Sequence, residues 1–389
     1  MPKTTHEAVT GFRQEVLLHA ATVAARGARE ADSERRLNER TMAALDDAGF
    51  ARHFVPRRWG GREGTFTDAF LATAQLAESC ASAAWCAMLW AAHARFAGLL
   101  PEEAQQELWG ESPDVRIAAA IMPPSGTVRP TADGWLIEGQ WRMASGADHA
   151  DWLLLSAAEA DEAPHRTAVP PTSRFRVCAL PRSAVTVLDT WHGTGLRGTA
   201  SNTVVLAETL VPDSRTVPLT ALIGGDGPRG GARCHRVPAH LVGGPLFCAP
   251  ALGSARRAVA TWTERAVRLH SPGGVGPLIR PAAAERLARA SADVDAVGLL
   301  LTEAVRRADT EEVSPHAVAR NQRDAAVGAD RLATAMDLLL RADGSHLRDT
   351  QSDFHRHWRD VLTIASHGAL RLEPAAAAFA GSLPVPAGV

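Results

Sequence analysis

Thr127–Trp152, TVRPTADGWLIEGQWRMASGADHADW, is the stretch that decides the fold. Asp133-Gly134 is a hairpin signal, because both residues tolerate the left-handed backbone of a tight turn. TVRP precedes it and WLIEGQW follows it, so two antiparallel strands are expected. More strand-like runs lie downstream: DWLLLSA from Asp151, FRVCALP from Phe175, AVTVLD from Ala184 and NTVVLAE from Asn202. Gly, Pro and Asp clusters separate them, and the charged, proline-bearing stretch 157–173 is expected to be an exposed loop. Residues 116–223 therefore read as a β domain, either a sheet or a barrel.

Helical patterns flank this domain on both sides. In residues 1–115, Val16, Ala20, Val23 and Ala24 repeat at helical spacing, as do Leu37, Met42 and Leu45 ahead of a stop at Gly49. One long apolar helix is expected over 67–100. Pro101 then opens a short helix whose first turn holds Glu102 and Glu103, where the helix dipole favours them. In residues 224–389, GGDGPRGG (Gly224–Gly231) marks a break, and helices are expected over 251–270, 281–309, 314–342 and 353–372. Pro281 and Ser314-Pro315 serve as starts, and Pro374 serves as a stop. Four such helices imply a C-terminal four-helix bundle. The class is α+β, in the order helices, sheet, helices.

Composition narrows the function. The chain has 389 residues and a formal net charge of −2, with a single lysine, Lys3. Such a balance carries none of the clustered basic surface that nucleic-acid binding requires. Cys80, Cys86, Cys178, Cys234 and Cys248 form no C-x-x-C pair, and their scatter through apolar context fits reduced, buried thiols. The N-terminus lacks the apolar core of a signal peptide, and no run reaches the roughly 18 apolar residues of a membrane helix. The expectation is a soluble cytoplasmic protein with no membrane or nucleic-acid partner.

Five motifs, in this order and spacing, carry a resemblance that spans nearly the whole chain. They are PRRWGG (Pro56–Gly61), ASAAWCAMLWAAHARF (Ala81–Phe96), GQWRMASGADHADW (Gly139–Trp152), GTGLRGTASNTVVL (Gly193–Leu206) followed by Val211-Pro212, and RHWRDVLTIASHG (Arg356–Gly368). Together they resemble the acyl-CoA dehydrogenase superfamily, and within it the flavin-dependent hydroxylases of two-component systems. The resemblance implies an oxygenase component that uses reduced FAD or FMN and O2, through a C4a-hydroperoxyflavin, to hydroxylate an aromatic or polycyclic molecule. It also implies a homotetramer and a separate NAD(P)H:flavin reductase. The chain has no nicotinamide-binding Rossmann unit of its own to replace that reductase.

The resemblance also assigns roles. Ser145 lies beside flavin N5 and C4a, and Trp141 packs near the isoalloxazine. Thr199 and Ser201, in the glycine-rich strand entry, can hydrogen-bond flavin or its phosphate. His93 faces the substrate side. His367-Gly368 stands where dehydrogenases of this superfamily can carry a catalytic Glu-Gly. A group that titrates near neutrality thus replaces a base for carbon-bound protons. Arg323, Arg356 and Arg359 are phosphate candidates, since a guanidinium forks onto phosphate oxygens. His355 and His357 do not make a metal site, because alternate residues of a helix point about 200° apart. Two alternatives stay open on the same scaffold: an N-oxygenase of an amine or amino sugar, and an acyl-CoA dehydrogenase. A hydrolase built on Ser145 and His367 is set aside, since no G-x-S-x-G elbow is present.

Overall fold

The computed structural model describes residues 11–160, 174–227, 230–269, 281–341, 349 and 352–384. The N-terminal helices are α1 (Gln14–Glu34), α2 (Glu39–Ala48), α3 (Phe66–Ala77), α4 (Ala81–Ala97) and α5 (Glu102–Trp109). Along α1 the buried stripe is Leu17, Ala20, Ala24, Ala28 and Ala31, and alanines at this spacing let α2 approach closely. The single helix expected over 67–100 is instead two. Ser79 and Cys80 both donate to the Leu76 carbonyl, Cys80 turns extended (φ −154°), and α4 folds back on α3. The reason is burial: α4 is apolar around nearly its whole surface, and only a folded-back hairpin covers that surface.

The strands are β1 (Ile117–Ala120), β2 (Thr127–Thr131), β3 (Gly134–Ala144), β4 (Trp152–Glu159), β5 (Phe175–Pro181), β6 (Thr186–Leu188), β7 (Asn202–Val211) and β8 (Thr216–Pro218). They form one sheet in the order β6-β7-β3-β2-β4-β5-β8, with β1 parallel to β4. The hairpin pairs Thr131 with Gly134, so the turn residues are Ala132 and Asp133. The barrel alternative does not form, because among the described residues β6 and β8 are edges. Each is three residues long, and Pro218 has no amide to donate. The loop expected over 157–173 starts later, since Ala157–Glu159 complete β4; residues 161–173 lie outside the described ones.

Two short helices, α6 (Leu219–Gly224) and α7 (Arg233–Arg236), lead to the bundle of α8 (Ala239–Leu269), α9 (Pro281–Thr310), α10 (Pro315–Leu340) and α11 (Asp353–Ala365). Helix α8 begins twelve residues before the expected Ala251 and carries Pro245 and Pro250 inside it. Burial against α3, α10 and α11 offsets the missing backbone bonds. Gly253 allows the α3 contact, since a Cβ there would overlap the Ala74 carbonyl. The last helix is also shorter than expected. Helix α11 stops at Ala365, and α12 (Leu372–Gly381) takes Pro374 into its first turn, where no amide is needed. His367 thus lies between two helices rather than late in one. No helix among the described residues is long and apolar enough to cross a membrane.

The start of α3 is capped from α9. The Asp309 carboxylate accepts from Phe66 N at 2.8 Å, Thr67 N at 2.9 Å and Thr67 Oγ1 at 2.7 Å. Bonds to a charged acceptor are worth about 1.5–3 kcal/mol. Asp309→Ala is expected to lower unfolding free energy by about 2 kcal/mol, with an unchanged urea m-value. An unchanged midpoint would show that the cap contributes nothing.

Candidate active site

Among the described residues, three of the five non-glycine residues with positive φ gather where the sheet meets the bundle: Met143 (59°), Leu196 (50°) and Ala200 (43°). Left-handed backbone costs an ordinary residue roughly 1–2 kcal/mol, so tertiary contacts hold these three in place. Met143 turns the end of β3 so that Ser145 points inward, and Leu196 and Ala200 shape the loop into β7.

The result is a continuous row of hydroxyls. Trp85 Nε1, from α4, donates to Ser145 Oγ at 3.1 Å. Ser145 Oγ lies 2.7 Å from Ser201 Oγ, which lies 2.7 Å from Thr199 Oγ1. Thr199 Oγ1 donates to the Leu196 carbonyl at 2.8 Å. All three hydroxyl residues are buried. Ser201 also borders a pocket of about 290 Å³, lined further by Arg142, Met143, Thr190, Trp191, His192, Gly193 and Thr203.

His367 joins this row through aromatic rings. Its imidazole lies 4.3 Å from the Phe247 ring of α8 and 5.5 Å from Trp85, edge-on to the latter at 67°. Burial among these rings lowers its pKa to about 4. The Ala369 amide donates to His367 Nδ1 at 3.2 Å, so the remaining proton of the neutral ring sits on Nε2. His93 is the opposite tautomer. Its Nδ1–H donates to the Ile117 carbonyl at 2.8 Å, leaving Nε2 as an acceptor, and burial lowers its pKa to about 4 as well.

The structure thus brings together Ser145, Ser201, Thr199 and His367. Trp85 and Phe247 are the connecting residues that sequence reasoning missed. Trp85 stood inside a quoted motif, but nothing in an apolar helix marks which tryptophan is hydrogen-bonded inward. His93 lies on α4 two turns beyond Trp85 and is tied to β1. Trp141 belongs to the core of the sheet, fully buried, with its indole N–H donated to the Ser156 carbonyl at 2.7 Å. Arg323 pairs with Asp324 and stacks on Phe379 at 4.2 Å. Arg356 and Arg359 line a separate cleft of about 310 Å³ with Arg29, Asp32 and Arg197. There Arg359 donates to Asp32 at 2.7 Å and to the Thr194 carbonyl at 2.6 Å, so it ties the loop 193–199 to α11 and α1.

The hydroxyl row suits a reduced flavin as a hydrogen-bond acceptor. Two-electron reduction protonates flavin N5, and a buried hydroxyl that already donates elsewhere presents a lone pair to such an N–H. Trp191 lines the adjoining pocket together with Arg142 and His192.

Residues 6–109 match the acyl-CoA dehydrogenase N-terminal domain, and residues 246–371 match the acyl-CoA dehydrogenase C-terminal domain. The chain is 30% identical over 347 residues to the flavin-dependent monooxygenase, oxygenase subunit HsaA, of Mycobacterium tuberculosis, covering 86% of each. It is 29% identical over 360 residues to the FADH(2)-dependent resorcinol hydroxylase, oxygenase component, of a Rhizobium species, covering 87% of this chain and 86% of that one. The crystal structure of 3-HSA hydroxylase from Rhodococcus sp. RHA1 superposes with a TM-score of 0.87 at 27% identity, over 95% of this chain and 97% of that one.

A histidine whose pKa is lowered to about 4 is almost entirely neutral once the pH is more than about one unit higher. In a ring-proton NMR titration, with His367→Gln used for assignment, His367 should show no midpoint between pH 5 and 8. A midpoint near the ordinary value of about 6.5 would mean that the imidazole is wet and can carry charge during turnover.

Proposed function

Because the chain belongs to the acyl-CoA dehydrogenase family, among the oxygenase components of flavin-dependent monooxygenases, we propose that it hydroxylates a phenolic or polycyclic aromatic substrate. It is a flavin-dependent oxidoreductase, and its electrons come as reduced FAD or FMN from a separate NAD(P)H:flavin reductase. Reduced flavin, when bound, supplies the electron pair with which O2 delivers one atom to substrate and the other to water.

The observation that carries this reading is the neutral His367 held against Trp85, the donor to Ser145. An α-proton of an acyl-CoA needs a carboxylate base. Glu373, the acidic residue nearest to His367 in sequence, lies exposed in the first turn of α12. The groups gathered here do other work. Ser145 would accept a hydrogen bond from flavin, with Ser201 and Thr199 orienting it, and His367 Nε2–H would donate to the oxygen being transferred or to the substrate. His93 Nε2 would accept the proton of a substrate hydroxyl. Trp85 and Phe247 pack against one side of His367 and shield that side from water, which strengthens each of these bonds. We also propose a homotetramer in which C-terminal helices pack between subunits. Leu299, on α9, is 76% exposed in the single chain and would be covered there.

The protein alone should oxidise NADH negligibly and should form product only when a flavin reductase is added. His367→Ala should still bind flavin yet lose product roughly 10²- to 10⁴-fold, releasing hydrogen peroxide instead. His367→Glu should not rescue it. Robust NADH oxidation by the isolated chain, or wild-type coupling in His367→Ala, would overturn this assignment.

A further inference from the structure

The hydroxyl row has a direction. The Leu196 carbonyl only accepts, so the Thr199 hydroxyl proton is committed to it at 2.8 Å. Thr199 Oγ1 has no second proton, so Ser201 must supply the one in the 2.7 Å contact between them. The same reasoning commits the Ser145 proton to Ser201 across the next 2.7 Å contact. At the far end the Trp85 indole only donates, and it occupies one Ser145 lone pair at 3.1 Å. Each hydroxyl has one proton and two lone pairs. Ser145 and Ser201 therefore each keep one lone pair and no proton for anything bound beside them.

The anchor of the row is held from several sides. The Leu196 carbonyl also accepts from Thr199 N at 3.1 Å and from Trp191 Nε1 at 3.0 Å, while the Leu196 amide donates to Asp360 of α11 at 2.6 Å. Turning the row round, so that Ser145 donates outward, would require Thr199 Oγ1 to leave that carbonyl.

We propose that Trp85, Ser145, Ser201, Thr199 and the Leu196 carbonyl form a one-way hydrogen-bond relay, which makes the site select reduced flavin over oxidised flavin. The relay rests on the placing of flavin N5 beside Ser145. Reduced N5 carries a hydrogen and finds a lone pair; oxidised N5 carries a lone pair and meets another. An oxygenase fed by a separate reductase gains from this, because oxidised product is released and reduced flavin takes its place. Thr199 and Ser201 are then positioning residues that act through Ser145.

The test is the ratio of dissociation constants for oxidised and reduced FMN, and likewise for FAD, measured anaerobically by equilibrium ultrafiltration. Wild type should prefer the reduced form. Thr199→Val keeps the side-chain shape but removes the acceptor for Ser201, whose proton then turns to Ser145 and pushes that hydroxyl outward. Ser201→Ala frees the Ser145 proton directly. Both should lower the oxidised-to-reduced ratio roughly three- to tenfold, the worth of one hydrogen bond, chiefly by tightening oxidised flavin. Thr199→Ser should keep the wild-type ratio. A general loss of packing would move both constants together and leave the ratio alone. If Ser145→Ala weakens reduced flavin while Thr199→Val and Ser201→Ala hold the wild-type ratio, the relay is overturned and the placing of flavin survives. If Ser145→Ala changes neither constant, flavin does not lie at Ser145, and the relay falls with that placing.

Discussion

One hydrogen bond joins the sheet to the bundle at the point where the site is built: the Leu196 amide donates to the Asp360 carboxylate of α11 at 2.6 Å. Asp360 is buried, and burial pushes its carboxyl up to about 6, against the pull of the Leu196 amide and of Arg356 and Arg359. Beside it, Gly195 lies against the Arg359 carbonyl so closely that no Cβ would fit. Arg359 holds the Thr194 carbonyl, and Arg197 donates to the Asp32 carbonyl of α1 at 2.8 Å. These contacts keep Leu196 and Ala200 in their left-handed conformations. The Leu196 carbonyl then sets Thr199, Thr199 sets Ser201, and Ser201 sets Ser145. The orientation of a hydroxyl at the end of β3 is thus fixed by a carboxylate in the helical bundle.

The chemistry follows from what the scaffold has placed beside that hydroxyl. A dehydrogenase on this fold needs a charged base. Here partial burial against the Trp85 and Phe247 rings instead lowers the pKa of an imidazole to about 4 and leaves its proton on Nε2. His93 is neutral for the same reason of burial but is fixed as an acceptor by the Ile117 carbonyl.

Much of this was legible in the sequence. Asp133-Gly134, the strand runs around it and the start signals at Pro281 and Ser314 report local backbone preference, and they located the sheet and two bundle helices closely. Where tertiary packing overrides local preference, the reading failed. The helix expected from Ala251 begins at Ala239 instead, because burial carries α8 through Pro245 and Pro250. The apolar run after Thr67 signals one helix, yet the need to cover α4 folds it into two. Pro374 signals a stop and instead opens α12. At the site, Ser145, Ser201 and Thr199 were legible as a set only through resemblance. Trp85 and Phe247 could not be picked out, because their role depends on which way each ring points. Trp141, a prominent residue in its motif, serves the sheet core.

The most direct measurement of the central claim is the origin of the oxygen in the product. With the flavin reductase, NADH and an aromatic substrate turned over under ¹⁸O₂, one heavy atom should enter each product molecule, and product formed in H₂¹⁸O under ordinary O2 should carry none. Heavy oxygen drawn from water, or a desaturated product with no added oxygen, would contradict the monooxygenase account.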